Sequence, residues 1–152
     1  MLTVYRIAKA KHAFDTLGAY LEGGRWNSPG GRVIYGSSCL AGCLLEVLVQ
    51  AGRRQKLPGT HHCARAHIPD DVPVEVVDET QLAGWEVEGS AAARDYGDGW
   101  LRELRTAVLS VPAVTAKPYG RHLLLNPNHA DWPRIRLEQP VAIIWDARLF
   151  SI

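Results

Sequence analysis

The chain has 152 residues, with 17 Lys and Arg against 16 Asp and Glu, for a formal charge of +1. Hydrophobic residues make up 47% and charged residues 22%, which excludes a disordered, collagenous or coiled-coil chain and suits one globular domain over 1–152. The near-neutral charge argues against duplex nucleic acid or an anionic membrane as a direct partner.

Leu2–Ala8 is rich in β-formers and predicts a first strand. Arg6 arrives there before any hydrophobic region, so no signal peptide is read, and no apolar run reaches the length of a membrane span. Residues 9–22 form a polar connection, with a short helix expected over 12–17. Residues 23–35 predict a hairpin, two strands joined by Pro29-Gly30-Gly31. Gly36-Ser37-Ser38 offers a helix N-cap. The following segment, 39–50, is apolar nearly all round and predicts a buried helix that stops at Gly52, before Arg53 and Arg54. His62–Ile68 and residues 74–77 predict two strands separated by a Pro69-Asp70-Asp71 turn. Residues 90–106 are helical in pattern, with Gly97 and Gly99 as interruptions. Residues 107–114 and 123–125 suggest a strand pair, 126–133 a loop, and 135–137 and 141–145 the closing strands. Strands do not alternate with helices, so a doubly wound sheet is not expected. The pattern predicts an α+β fold: one domain, a twisted and mostly antiparallel sheet, and a few helices.

Glu46 is the most informative residue. A carboxylate inside a buried helix is paired or functional. The structural alternative is an ion pair with Arg6, Arg25 or Arg32. Gly42, one turn before it, weakens the helix and suggests that something approaches closely there. Arg6 on a strand and Arg25 after Gly23-Gly24 offer guanidinium groups suited to bidentate phosphate contacts. Taken singly, each is an ordinary surface charge or ion-pair partner. Trp26 and Tyr35 offer aromatic faces for a flat heterocycle, or two core rings. His129, in Asn126-Pro127-Asn128-His129, reads by itself as a loop histidine.

Other chemistries lack their signatures. His61-His62-Cys63 has no metal-ligand spacing, because neighbours on a strand face apart, so no metal is expected. Cys39 and Cys43, one helical turn apart, read as core, and three cysteines without a framework suit a reducing compartment, the cytoplasm. The glycines match neither GxGxxG nor GxxxxGK[ST], and no GxSxG elbow occurs.

The run Gly24-Arg25-Trp26-Asn27, then Val33-Ile34-Tyr35, then Leu45-Glu46, resembles the RES domain family of small bacterial toxins paired with Xre-like antitoxins. Tyr5-Arg6-Ile7, Asn126-Pro127-Asn128-His129 and Arg148-Leu149-Phe150 extend the resemblance along the whole chain. It implies a fold similar to ADP-ribosyltransferase toxins and cleavage of the nicotinamide–ribose bond of NAD⁺, with no metal. It further implies an Xre-like antitoxin as partner. Under it, Arg6 and Arg25 hold the pyrophosphate, Tyr35 lines the nicotinamide–ribose pocket with Trp26, and Glu46 is the catalytic carboxylate, served by Tyr35 and Arg25. Asn126 and His129 join the NAD⁺ contacts. The ADP-ribose passes to water or phosphate, or to a protein target. One departure stands out. The family's serine follows Val-Pro, and here Val111-Pro112 is followed by Ala113, with Ser110 and Thr115 the nearest hydroxyls. Two other functions draw on the same residue types: an endoribonuclease toxin using Arg, His, Tyr and Glu, and a non-catalytic binding module in which Glu46 is merely ion-paired.

Overall fold

The computed structural model describes residues 1–54 and 59–150. Eight strands form one sheet: β1 (Leu2–Ala8), β2 (Ile34–Ser37), β3 (His62–Ile68), β4 (Val74–Val76), β5 (Val108–Pro112), β6 (Arg121–Leu125), β7 (Arg136–Leu137) and β8 (Val141–Ala142). Among the described residues three α-helices accompany it: α1 (Leu17–Glu22), α2 (Leu40–Arg54) and α3 (Ala91–Arg102). The strand order is β4-β5-β6-β2-β1-β3-β7, with β8 also on β3. Only β4 and β5 run parallel, so the sheet is mixed and predominantly antiparallel. The α+β expectation holds. Among the described residues no helix is long and apolar enough to cross a membrane.

The centre of the sheet is covered on both faces. Successive side chains on a strand point to opposite sides, and each side has its own cluster. Val4, Ile34, Val108, Leu123 and Leu125 pack on one face. Trp26, Val33, Trp85, Trp100, Leu109, Val111 and Leu124 pack on the other. This is why all five residues of β5 are buried and why its sequence shows no polar alternation.

Three expectations need correcting. Residues 23–35 are not a hairpin. Gly24 and Asn27 close a tight turn on themselves, and the strand begins only at Ile34. Buried Asn27 organises this loop: its Nδ2 donates to the carbonyls of Ala19 and Ser28, each at 3.0 Å, so those acceptors are satisfied without a strand partner. Helix α3 runs straight through Gly97 and Gly99. At Gly97 the reason is a close approach, since an added Cβ would lie 1.7 Å from the Trp26 carbonyl oxygen. Helix α2 passes Gly52 to Arg54, and Leu40, Leu45 and Val49 stand exposed on it, so it is half-buried rather than buried.

Candidate active site

The sheet opens beside β1 and β2. These strands share one register pair, Tyr5 with Ser37. The neighbouring backbone acceptors are met by side chains instead: Cys43 Sγ donates to the Tyr5 carbonyl at 2.9 Å, and Arg6 Nη1 to the Tyr35 carbonyl at 2.9 Å. A cleft of about 780 Å³ lies over this opening, of a size suited to a small-molecule ligand. Its walls come from β1, β2, α2, the 23–26 turn, residues 88–89 and residues 112–115, and His122 of β6 lines it too.

The cleft carries three arginines. Arg6, Arg25 and Arg94 line it, and among the described residues none has a carboxylate within ion-pair distance. Arg25 Nη1 donates to the carbonyls of Trp85 at 3.1 Å and Val87 at 3.0 Å, which fixes the guanidinium without neutralising it. Arg6 Nε is buried and has no hydrogen-bond partner. Burial pulls the Arg6 guanidinium below its ordinary range, while Asp15 and Cys43 act in the opposite direction. An arginine in a protein nonetheless stays protonated. A half-buried guanidinium with no carboxylate in direct contact, lining an open cleft, is chemically suited to an anion. Glu22 and Glu88 also border the cleft.

Glu46 lines the same cleft. Cys43 faces the sheet and Glu46 follows three residues later, on the same side of α2. Its side chain is 35% exposed, so it lines an open cleft rather than sitting in a sealed core. None of Arg6, Arg25 or Arg32 pairs with it. Its partners are Thr115, whose Oγ1 donates to Oε1 at 2.7 Å, and His122, whose Nε2 lies 3.5 Å from the same oxygen. Burial lowers the His122 pKa from its ordinary 6.5, Glu46 raises it, and Arg25 lowers it further. The space beside Gly42 is filled by Ser37: an added Cβ would lie 2.5 Å from its Oγ.

Tyr35 lines the cleft and is fixed at its phenol. Tyr35 Oη donates to Asn27 Oδ1 at 2.7 Å and accepts from the Trp26 backbone N–H at 3.1 Å. Burial pushes its pKa well above the ordinary tyrosine range. This couples β2 to the 23–26 turn that carries Arg25. Gly24 must be small for it, since a Cβ would lie 2.6 Å from Tyr35 Oη.

Arg6, Arg25, Tyr35 and Glu46 therefore meet in one cleft. Trp26 borders it, but its indole is a core ring, 1% exposed, stacked on Trp85 at 6.3 Å and set edge-on to Tyr96. Asn126 and His129 do not line the cleft, because they follow the end of β6 remote from His122. Their side chains serve the turn: Asn126 Oδ1 accepts from the Asn128 N–H at 3.0 Å, and His129 Nδ1 from the Asp131 N–H at 3.0 Å. His122 and Arg94 were not anticipated. Extending the 123–125 strand two residues back would have placed His122 on the Leu124 side by alternation. Arg94 has no sequence signal. Among the described residues no group of His, Cys, Asp and Glu is arranged to hold a metal. The three cysteines are free thiols, and burial pushes Cys43 up to about 12.

Among the described residues, the cleft sits in a mixed, predominantly antiparallel sheet accompanied by three α-helices, an α+β fold. Residues 3–146 match the RES domain family, and the chain belongs to it. It is 32% identical over 136 residues to the Prs ADP-ribosylating toxin of Sphingobium sp. (strain YBL2), across 87% of this chain and 83% of that protein. It is 30% identical over 130 residues to Toxin Res of Pseudomonas putida, across 84% of this chain and 86% of that one. A chain in the crystal structure of the M. tuberculosis MbcT–MbcA toxin–antitoxin complex shares the fold, with a TM-score of 0.70 at 19% identity over 93% of this chain and 83% of its own.

Proposed function

We propose that this chain, as a single RES-type domain over 1–152, is the toxin of a toxin–antitoxin pair and cleaves the nicotinamide–ribose bond of NAD⁺. The observation that carries this reading is that one cleft brings together the Arg6 and Arg25 guanidinium groups and a carboxylate held by Thr115. NAD⁺ has complementary features, with a doubly anionic pyrophosphate and a ribose that becomes cationic as nicotinamide leaves.

Arg6 and Arg25 take the pyrophosphate through charge-assisted, fork-like hydrogen bonds. Tyr35 walls the nicotinamide–ribose portion. The glycosidic C–N bond breaks with its electron pair passing to the ring nitrogen. The pyridinium becomes neutral nicotinamide, so departure needs no proton and no general acid. The oxocarbenium-like ribose resembles that of glycoside cleavage, and the Glu46 carboxylate stabilises it. The acceptor then bonds to the anomeric carbon. Water gives ADP-ribose and releases one proton; phosphate or a protein nucleophile gives the corresponding adduct. The name of the Sphingobium relative favours a protein acceptor. The toxin–antitoxin complex that shares the fold favours a protein antitoxin, here an Xre-like one, and the cytoplasm, where NAD⁺ is abundant, is the fitting location.

The test is product accounting. Purified protein freed from any partner is incubated with NAD⁺, and nicotinamide and ADP-ribose are quantified by chromatography. Nicotinamide matched by free ADP-ribose identifies hydrolysis. Nicotinamide in excess directs the search to a phosphorylated product or a modified protein. Folded protein that releases no nicotinamide, even with lysate added as an acceptor source, overturns the proposal. RNA breakdown with NAD⁺ intact would put an endoribonuclease in its place.

A further inference from the structure

We infer that Thr115 is the positioning residue for Glu46. The inference rests on the NAD⁺ reading above. By strand alternation Thr115 would share a face with Ala113 and sit one full repeat further on. The alternation stops first. Strand β5 ends at Pro112, and Val114–Ala116 form a 3₁₀ turn. Each residue of such a turn rotates the chain by about a third of a circle, and Thr115 is directed onto α2. Its Oγ1 donates to Glu46 Oε1 at 2.7 Å. Glu46 Oε2 has no protein partner among the described residues, so one oxygen is anchored and the other is left for the ligand.

The other hydroxyl is committed elsewhere. Ser110 Oγ accepts from Arg121 Nε at 3.0 Å. Ala113 is 2% exposed, and its methyl side chain contributes only packing.

The turn that holds Thr115 is itself fixed. Ala113 N–H donates to the Gly120 carbonyl at 3.0 Å, Ala116 N–H to the Ala113 carbonyl at 3.2 Å, and Gly120 N–H to the Ala116 carbonyl at 2.7 Å. Gly120 makes this closure possible, since a Cβ there would meet the Ala116 methyl at 2.3 Å. Lys117 pairs with Glu86 and lies 5.7 Å from the Trp85 ring centre. The carbonyls of Trp85 and Val87 are those that hold Arg25. The cation and the carboxylate of the cleft are thus referenced to each other through one short turn.

Steady-state nicotinamide release is compared for wild type, Thr115→Val and Thr115→Ser, with folding checked by thermal melting. Valine keeps the branched shape and removes the hydroxyl; serine does the reverse. The expected result is a kcat about tenfold lower for Thr115→Val, as for one lost hydrogen bond to a charged group, with KM for NAD⁺ within about twofold. Thr115→Ser keeps kcat within about threefold of wild type, since the bond is retained. Should the valine variant not fold, Thr115→Ala takes its place, with serine again the rescue. A valine or alanine variant with wild-type kcat, or a serine variant as slow as either, overturns the role of Thr115 while leaving the NAD⁺ reading intact. A folded wild type that releases no nicotinamide overturns both.

Discussion

His122 and Glu46 meet across the cleft, with Nε2 3.5 Å from Oε1. Burial prevails over this attraction, so the imidazole titrates below 6.5 and is neutral at pH 7. The sign of the linkage follows. A folded-state pKa below the unfolded one gives stability that is fully present above 6.5 and is lost as pH falls through the folded value. Denaturant unfolding should therefore show wild type losing more stability than His122→Gln between neutral pH and the folded-state titration. Glu46→Gln removes the attraction that holds the proton, so an NMR titration should find His122 displaced further downward in that variant. An upward displacement would mean that Glu46 does not act on the imidazole as the geometry indicates.

Arg6 combines a buried Nε that has no partner with a guanidinium that lacks a carboxylate. Removing a largely desolvated charge relieves its desolvation cost, which offsets the bonds to the Tyr35 carbonyl at 2.9 Å and the Asp15 carbonyl at 3.5 Å. Arg6→Met should lose no stability in thermal melts. Its KM for NAD⁺ should rise about ten- to a hundredfold, the range for a hydrogen-bonded charged contact. A variant that melts well below wild type and binds NAD⁺ normally would make Arg6 a structural residue.

Two glycines of α3 should respond oppositely to the same change. An added Cβ at Gly97 would lie 1.7 Å from the Trp26 carbonyl oxygen, whereas at Gly99 the nearest atom is an Arg105 guanidinium nitrogen at 3.6 Å. Gly97→Ala forces α3 off the 23–26 turn and should destabilise by more than about 3 kcal/mol, the upper range for overpacking. Gly99→Ala should stabilise by about 0.5–1 kcal/mol through helix propensity. Urea unfolding of the two variants checks the pair, and equal effects would contradict the packing described.

The strands were legible where their patterns were local. Leu2–Ala8 and His62–Ile68 have the expected bounds, because both are continuous β-rich runs. The 23–35 segment misled because Pro29-Gly30-Gly31 is strong turn punctuation, while the decisive interaction is Asn27 reaching back to Ala19 in α1. Glu46 stood out as a carboxylate among aliphatics, yet its partners lie 69 and 76 residues away and carry no local signature. Trp26 illustrates the converse. Its position in a motif-bearing run suggested a ligand wall, but the ring turns to Trp85 and the core, and only its backbone N–H serves Tyr35. For Asn126 and His129 only the family resemblance pointed to ligand contacts, while His129 by itself read as a loop histidine, and their side chains bond within the turn after β6.

The central claim is that Glu46 is the group on which bond cleavage depends, and one comparison tests it. Wild type and Glu46→Gln are brought to equal concentration, shown to melt alike, and followed for nicotinamide release at saturating NAD⁺. Glutamine keeps the shape and the capacity to accept from Thr115 but removes the charge. Turnover is expected to fall about a hundredfold or more, the scale for losing a preorganised electrostatic stabiliser. A Glu46→Gln protein that releases nicotinamide at the wild-type rate would contradict that claim.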